Sequence, residues 1–358
     1  MSDGKYNVLI MGASYGSLLA SKLVLAGHNA TLVCLPAEAE LINNDGIHVK
    51  MPIRGYDELV EIHSADAPGK VSAGGPEEFD PKAFDLVALA MQEPQYRSTG
   101  VRELLERVAT SGVPCMSIMN MPPLPYLLRL SGVDAAAIRH CYTDPTVWDS
   151  FDKNLVTLAS PDPQAFRPPD EPVNVLQVSL PTNFKVACFV SDEHTAMLRQ
   201  IEQDIMDIRF DPGDGTVIEL PVKLKVYDSV FVPLAKWAML MTGNYRCIQE
   251  DQARSIKDAV HMNIDASKEV YEWVHGLCLA LGAAAKDMVP FEKYANAAQG
   301  LSKPSSAARA LAAGAPNIER LDLLVHTLSN GLNMYSKIVE ETVELVNKRL
   351  EENRKAVK

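Results

Sequence analysis

Long apolar runs are absent from this chain: no uninterrupted hydrophobic stretch reaches the roughly 18 residues that a membrane-spanning helix needs. The N-terminal MSDGKYN has neither the basic nor the apolar region of a secretion signal, so the sequence predicts a cytoplasmic protein. The six cysteines (Cys34, Cys115, Cys141, Cys188, Cys247 and Cys278) show no C-x-x-C spacing, and most lie in apolar runs, as reduced core residues do. The eight histidines form no H-x-x-x-H or H-E-x-x-H pair, so no metal site is expected. Lys and Arg number 34 against 46 Asp and Glu, a net charge of -12 that argues against nucleic acid or an anionic membrane as a partner.

What is present is an ordinary globular composition, 47% hydrophobic, in a chain of 358 residues. That length exceeds the size at which a single core stops growing, so two domains are expected. The first is organised around Tyr6 to Pro36. Val8, Leu9, Ile10 and Met11 form an unalternating apolar run, as in a parallel strand covered on both faces. The turn Gly12-Ala13-Ser14-Tyr15-Gly16-Ser17 leads into a helix ending near Gly27, and Ala30 to Cys34 gives a second strand. A helix start of this kind offers unpaired N–H groups and partial positive charge to a phosphate, provided the backbone can approach closely. The dinucleotide fingerprint Gly-x-Gly-x-x-Gly is not intact, because Ser14 stands at the second glycine position and Gly16 comes one residue early. Residues 12 to 17 are the candidate phosphate cradle; a tight turn without a ligand is the alternative.

Further along, a helix is expected over Ala37 to Asn44 and a strand over Gly46 to Lys50. Phe84 to Met91 and Val113 to Met119 read as buried strands flanking a helix over Val101 to Ser111. The stretches IRHCYT, NLVTLAS, VNVLQVSL and KVACFV suggest antiparallel strands added at the sheet edge, followed by an amphipathic helix over Glu193 to Ile208. The turn-rich Asp211 to Gly215 marks the expected boundary, giving domains 1–215 and 216–358. Beyond it, helical spacing covers Tyr227 to Ile248, Ala253 to Leu281, Ser305 to Ala313 and Ile318 to Arg349, and Glu340 to Lys358 reads as a charged helix. The fold class is thus α/β plus all-α.

The ordered set MGASYGSLLASKLVLAGHNATLV, DGIHV, FDLVALAMQ, MSIMNMPPLPYL, LAKWAMLMTGN, SKEVYEWVHGLCLALG and PSSAARALAAGAPNIERLD resembles the ketopantoate reductase (2-dehydropantoate 2-reductase) family across nearly the whole chain. The resemblance implies a Rossmann-type domain with a helical domain of the 6-phosphogluconate dehydrogenase C-terminal type. It also implies hydride transfer from NADP(H), or NAD(H), to a small 2-oxo acid, and a homodimer. Lysine would act as acid toward the carbonyl oxygen, with asparagines orienting substrate or cofactor and a glutamate holding substrate and lysine. The matching residues are Lys236, Asn244 and Glu319 for catalysis, Asn120 for cofactor and substrate, and Ser305 and Ser306 for substrate. Leu35 and Gln92 stand at further cofactor positions.

Several positions depart from the family. Met121 replaces the glycine after Asn120, and Leu35 and Gln92 replace charged residues. Anchoring on Trp237 puts Met239 at the lysine position and Gly243 at the asparagine position, three residues after Lys236 and one before Asn244. Anchoring on Gly314 and Pro316 puts Ile318, not Glu319, at the glutamate position. These changes imply a carbonyl substrate other than ketopantoate. The alternative is a nucleotide-binding protein without chemistry on the same fold. His140, Tyr142, Asp144 and Trp148 form a polar-aromatic segment, while His261, His275 and His326 read as packing residues.

Overall fold

The computed structural model describes residues 4–356; Met1 to Asp3 of the N-terminal stretch and the last two residues of the charged tail lie outside it. The chain divides into two compact units. One comprises the chain up to Met91, Gln95–Tyr126 and Thr146–Asp228; the other comprises Gln92–Pro94, Leu127–Pro145 and the chain from Ser229 onward.

The first unit is built on β1 (Asn7–Met11), whose Val8 to Met11 are fully buried. Helix α1 (Ala13–Leu25) returns the chain to β2 (Asn29–Val33), which pairs parallel with β1 in the register Asn7 to Asn29. Helix α2 (Pro36–Asp45) follows. The next two strands, β3 (His48–Met51) and β4 (Val60–His63), form an antiparallel pair that leaves the main sheet. β5 (Val71–Gly74) then joins β2, and β6 (Leu86–Leu89) pairs parallel with β1 on its other side. Helix α3 (Val101–Ser111), capped by Gly112 in a left-handed conformation, precedes β7 (Cys115–Ile118).

The remaining strands are β8 (Val156–Ser160), β9 (Gln164–Phe166), β10 (Val175–Leu180), β11 (Phe184–Ala187) and β12 (Leu224–Tyr227). The main sheet has eight strands in the order β12-β11-β8-β7-β6-β1-β2-β5, and the smaller one has four, β4-β3-β10-β9. Val8, Ile10, Leu18, Leu19 and Leu23 belong to the core that α1 builds on the sheet.

Four sequence expectations are corrected here. IRHCYT is not a strand: Asp134 caps a helical turn over Ala135–Ile138, and Arg139–Cys141 continues it. NLVTLAS supplies β8, which lies parallel to β7 inside the sheet rather than antiparallel at its edge. VNVLQVSL supplies β10, which pairs with β3 in the separate sheet. Only KVACFV, as β11, runs antiparallel to a strand of the main sheet. Pairing partner and direction are tertiary choices that strand composition does not encode. The first unit also runs on past residue 215 to Asp228, because β12 pairs with β11.

The second unit is helical, with more breaks than periodicity suggests. Tyr227 belongs to β12, and the expected helix starts only at a 3₁₀ turn, Pro233–Ala235. It continues as one α-turn (Lys236–Met239), one π-turn (Leu240–Asn244) and a final 3₁₀ turn (Tyr245–Cys247). Asn263 ends one helix and caps Ile264–Ala280 by accepting from the Ala266 N–H. Asn333, at φ 55°, separates Leu321–Gly331 from Lys337–Ala356. Among the described residues, no helix is long and apolar enough to cross a membrane.

Candidate functional site

In the first unit, parallel pairing aligns the carboxyl ends of β1, β2, β6 and β7 on one edge, the edge where open α/β sheets bind ligands. Gly12 turns the chain there at φ 107°, and its N–H donates to the Val33 carbonyl at 3.0 Å. A Cβ on Gly12 would stand 2.8 Å from Met91 Cγ, and one on Gly16 would stand 2.6 Å from Ile10 Cγ2. Gly12 therefore makes the turn, and Gly16 lets α1 lie close against β1. No side chain caps α1, its first turn carries no acid, and Ser14 is exposed. The start of the helix thus presents free donors and positive potential to an anion.

The six residues of the cradle do not contribute alike. Ser17 is buried and its hydroxyl donates to the Ala13 carbonyl, so it serves the helix rather than a ligand. Tyr15 donates its hydroxyl to the Pro163 carbonyl at 2.6 Å, and burial, with Asp162 beside it, holds its pKa well above the ordinary tyrosine range. Ala13 is buried in the core. What stays accessible at this turn is the half-buried Gly12 and the exposed Ser14.

Leu35, just past the end of β2, is 74% exposed and offers no polar group. The polar pair at this end is Glu38, in the first turn of α2, with Arg167, just past β9. The sequence reading missed both, since Arg167 reaches Glu38 only through the second sheet. Asn120 follows the end of β7, and its Oδ1 is buried with no hydrogen-bond partner. An orphaned buried acceptor costs stability unless a ligand supplies a donor. With the uncapped α1 it fits a dinucleotide: phosphates on the helix, and an amide or hydroxyl donor at Asn120.

In the second unit, hydrogen bonds tie Ser305 to the backbone of Asn244 and the backbone of Glu319 to Tyr245, the next residue along. Ser305 Oγ donates to the Asn244 carbonyl at 2.7 Å and accepts from the Ala308 N–H at 3.1 Å, so it caps Ser306–Ala312 and pins the end of the π-turn. Ser306, beside it, is exposed. Tyr245 donates its hydroxyl to the Glu319 carbonyl at 2.5 Å and accepts from the Leu321 N–H at 3.0 Å. Burial, then Asp322 and Glu319, push the Tyr245 pKa well above its ordinary value, so it remains a neutral donor.

Glu319 is 8% exposed, and its Oε1 accepts from the Glu93 N–H at 3.3 Å. Glu93 is buried too; its carboxylate accepts from the Thr143 N–H at 2.9 Å and the Thr143 hydroxyl at 2.8 Å. Gln92, its exposed neighbour, lies on the same short segment. Residues 318 to 320 precede the helix Leu321–Gly331 rather than opening it, which corrects the expected helix over Ile318 to Arg349. Ile318 is buried in the core while Glu319 makes the polar contact. Asp322, fully buried, pairs with Arg320 through two bonds of 3.0 Å; burial raises its pKa and Arg320 opposes the rise. Glu93, Thr143 and Tyr245 gave no sequence signal, because each partner is distant in the chain.

Lys236 is half-buried at the start of the α-turn. In an unbroken α-helix, Asn244 would stand about 80° around the axis from Lys236. The wider π-turn between them takes about one more residue per turn and returns Asn244 toward the face of Lys236, about 12 Å along the axis. The same turn explains Gly243: a Cβ there would lie 2.0 Å from the Tyr294 hydroxyl, which donates to the Met239 carbonyl at 3.1 Å. An asparagine could not occupy position 243 beside that ring.

His140 Nε2 lies 3.4 Å from the Thr327 hydroxyl, Trp148 is buried against Tyr96, and His261 Nε2 meets the Ala295 carbonyl at 2.9 Å.

This is the fold of the ketopantoate reductases, a Rossmann-type unit and a helical unit in one chain. No protein-family model matches the sequence, and no curated protein sequence matches it. Solved structures do match, over nearly full length. A 2-dehydropantoate 2-reductase from Methylococcus capsulatus aligns with a TM-score of 0.65 at 11% identity, covering 97% of each chain. The complex of D-mandelate dehydrogenase with NADH and anilino(oxo)acetate aligns at 0.61 and 12% identity, covering 97% of this chain and 99% of that one. A dimeric ketopantoate reductase from Staphylococcus aureus aligns at 0.60 and 10% identity, with the same coverage.

Proposed function

We propose that this protein is a nicotinamide-dependent oxidoreductase acting between a small 2-oxo acid and its 2-hydroxy acid, with a substrate other than ketopantoate. The observation that carries the reading is the uncapped start of α1 at the carboxyl edge of the sheet, where Gly12 and Gly16 leave no room for a Cβ and no acid opposes a phosphate. Full-length likeness to structures of 2-oxo acid and 2-hydroxy acid oxidoreductases supports it. The nicotinamide, when bound, supplies or accepts the hydride.

The chain's own residues do the rest. Gly12, Ser14 and the first N–H groups of α1 hold the pyrophosphate, and the free Oδ1 of Asn120 accepts a hydrogen bond from cofactor or substrate. Lys236 donates a proton to the carbonyl oxygen as it gains negative charge. Asn244 orients the acid, and Glu319, steadied by the Glu93 N–H and by Tyr245, accepts from a substrate hydroxyl. Gln92 and Leu35 contact the cofactor through their exposed side chains. Met239 and Ile318 remove the polar groups that ketopantoate would meet. NADP(H) is the proposed cofactor, and NAD(H) is the comparison in the same titration. The protein acts in the cytoplasm as a homodimer, which sedimentation would show as twice the chain mass.

Titration of NADPH and NADH, followed by cofactor fluorescence and by thermal unfolding, tests binding. A panel of 2-oxo acids then tests turnover. Lys236→Ala is expected to lower kcat by at least about 100-fold with cofactor affinity unchanged within threefold. Unchanged turnover would remove Lys236 as the acid. Cofactor binding with no turnover of any acid would favour a nucleotide-binding protein without chemistry, and no binding at all would defeat both readings.

A further inference from the structure

We propose that the outer face of the β3–β4 hairpin is a binding site for a divalent transition metal, held by His48, Glu61 and His63. Alternation along the two strands buries Val49, Met51, Val60 and Ile62 and turns His48, Lys50, Glu61 and His63 outward. Antiparallel register sets His48 directly across from His63 and Lys50 across from Glu61. Sequence spacing conceals the cluster, since its members lie on two strands joined by a loop.

The donor atoms of the three side chains all lie within 4.8 Å of one another. His48 Nδ1 stands 3.1 Å from Glu61 Oε1, and His63 Nε2 stands 3.5 Å from the same oxygen. Ligands about 2.1 Å from a tetrahedral ion are about 3.4 Å apart, so these separations already suit one metal. The two imidazole rings meet edge to face, with centroids 4.2 Å apart. Side-chain exposures of 20% for His48, 37% for Glu61 and 41% for His63 leave an open side for water as a further ligand. Lys50, the nearby cation on the same face, is engaged with Glu171 at 2.6 Å.

Two imidazoles and one carboxylate select a borderline ion such as Zn²⁺ or Cu²⁺ over Mg²⁺ or Ca²⁺. The ion would tie edge strand β4 to β3 and clip the four-stranded sheet. The inference does not depend on the oxidoreductase reading.

The test uses the full-length chain without a polyhistidine tag, stripped with EDTA. Calorimetry with Zn²⁺ should show one strong site per chain, weakened more than tenfold in His63→Ala and in Glu61→Gln. Zn²⁺ at a hundredfold excess over the wild-type Kd should raise the wild-type Tm by about 2–4 °C and shift both variants by no more than about half as much. Electron paramagnetic resonance of the Cu²⁺ form should show two imidazole nitrogens in the wild type and one in His63→Ala. Absence of a strong site, or variants that bind as the wild type does, would overturn the proposal by placing the metal on other histidines or nowhere. If a variant unfolds in EDTA, the nitrogen count of the wild type decides: two supports the site and fewer overturns it.

Discussion

Lys22 lies within α1 with 1% of its surface exposed, and its Nζ donates to the Pro221 carbonyl at 2.5 Å. Burial, with Lys223 nearby, lowers its pKa from 10.5 to about 7. Between those values the unfolded chain holds a proton that the folded chain has shed, so stability rises with pH across the window from about 7 to 10.5. Denaturant unfolding should show that rise in the wild type, and Lys22→Met should flatten it; an equal rise in the variant would assign the effect elsewhere. At this scale the sequence was legible where the signal was local. Gly12 and Gly16 sit where the turn requires them, and Ser14 is exposed beside them. It was not legible where one letter serves two purposes: the hydroxyls of Ser17 and Ser305 bond their own helices, and nothing in a serine's neighbours announces that. Glu93 was overlooked because Thr143 and Glu319 are 50 and 226 residues away in the chain.

The π-turn over Leu240–Asn244 is the element on which the catalytic reading turns. Sequence registers assume 3.6 residues per turn, so the offsets of Lys236 and Asn244 looked like displacement; a wider turn between them alters the geometry without altering the spacing. Its support is Tyr294, which fills the space beside Gly243 and stacks on Tyr271 at 5.4 Å. Gly243→Ala should therefore destabilise the protein by about 1–3 kcal/mol. Adding Tyr294→Phe should recover part of that loss, a coupling that a double-mutant cycle in urea would measure. Additive losses would show that the ring yields and that the turn has another cause. Periodicity located the helical regions here but not their breaks, since Asn263 and Asn333 act through capping and left-handed backbone, which an apolar stripe does not register.

For the whole molecule, the α/β-then-helical order was readable from apolar runs and helical spacing, but which strand lies beside which was not. β3 and β10, more than a hundred residues apart, pair parallel in a sheet of their own. The same interleaving governs the units. The helical unit includes Gln92–Pro94 and Leu127–Pro145, both encoded amid the Rossmann strands. A fragment starting at Ser229 would lack the Ala135–Ile138 turn that packs on Leu321–Gly331, so it should be insoluble or show a non-cooperative melt, where the full chain melts cooperatively. A cooperative melt from that fragment would contradict the division. During synthesis, residues 127 to 145 leave the ribosome long before residues 321 to 331 exist to cover them. Their apolar side chains, Ile138, Cys141 and Tyr142 among them, must wait uncovered through the translation of most of the second half. Slow elongation would prolong that exposure, and a holding chaperone would find its natural client segment there.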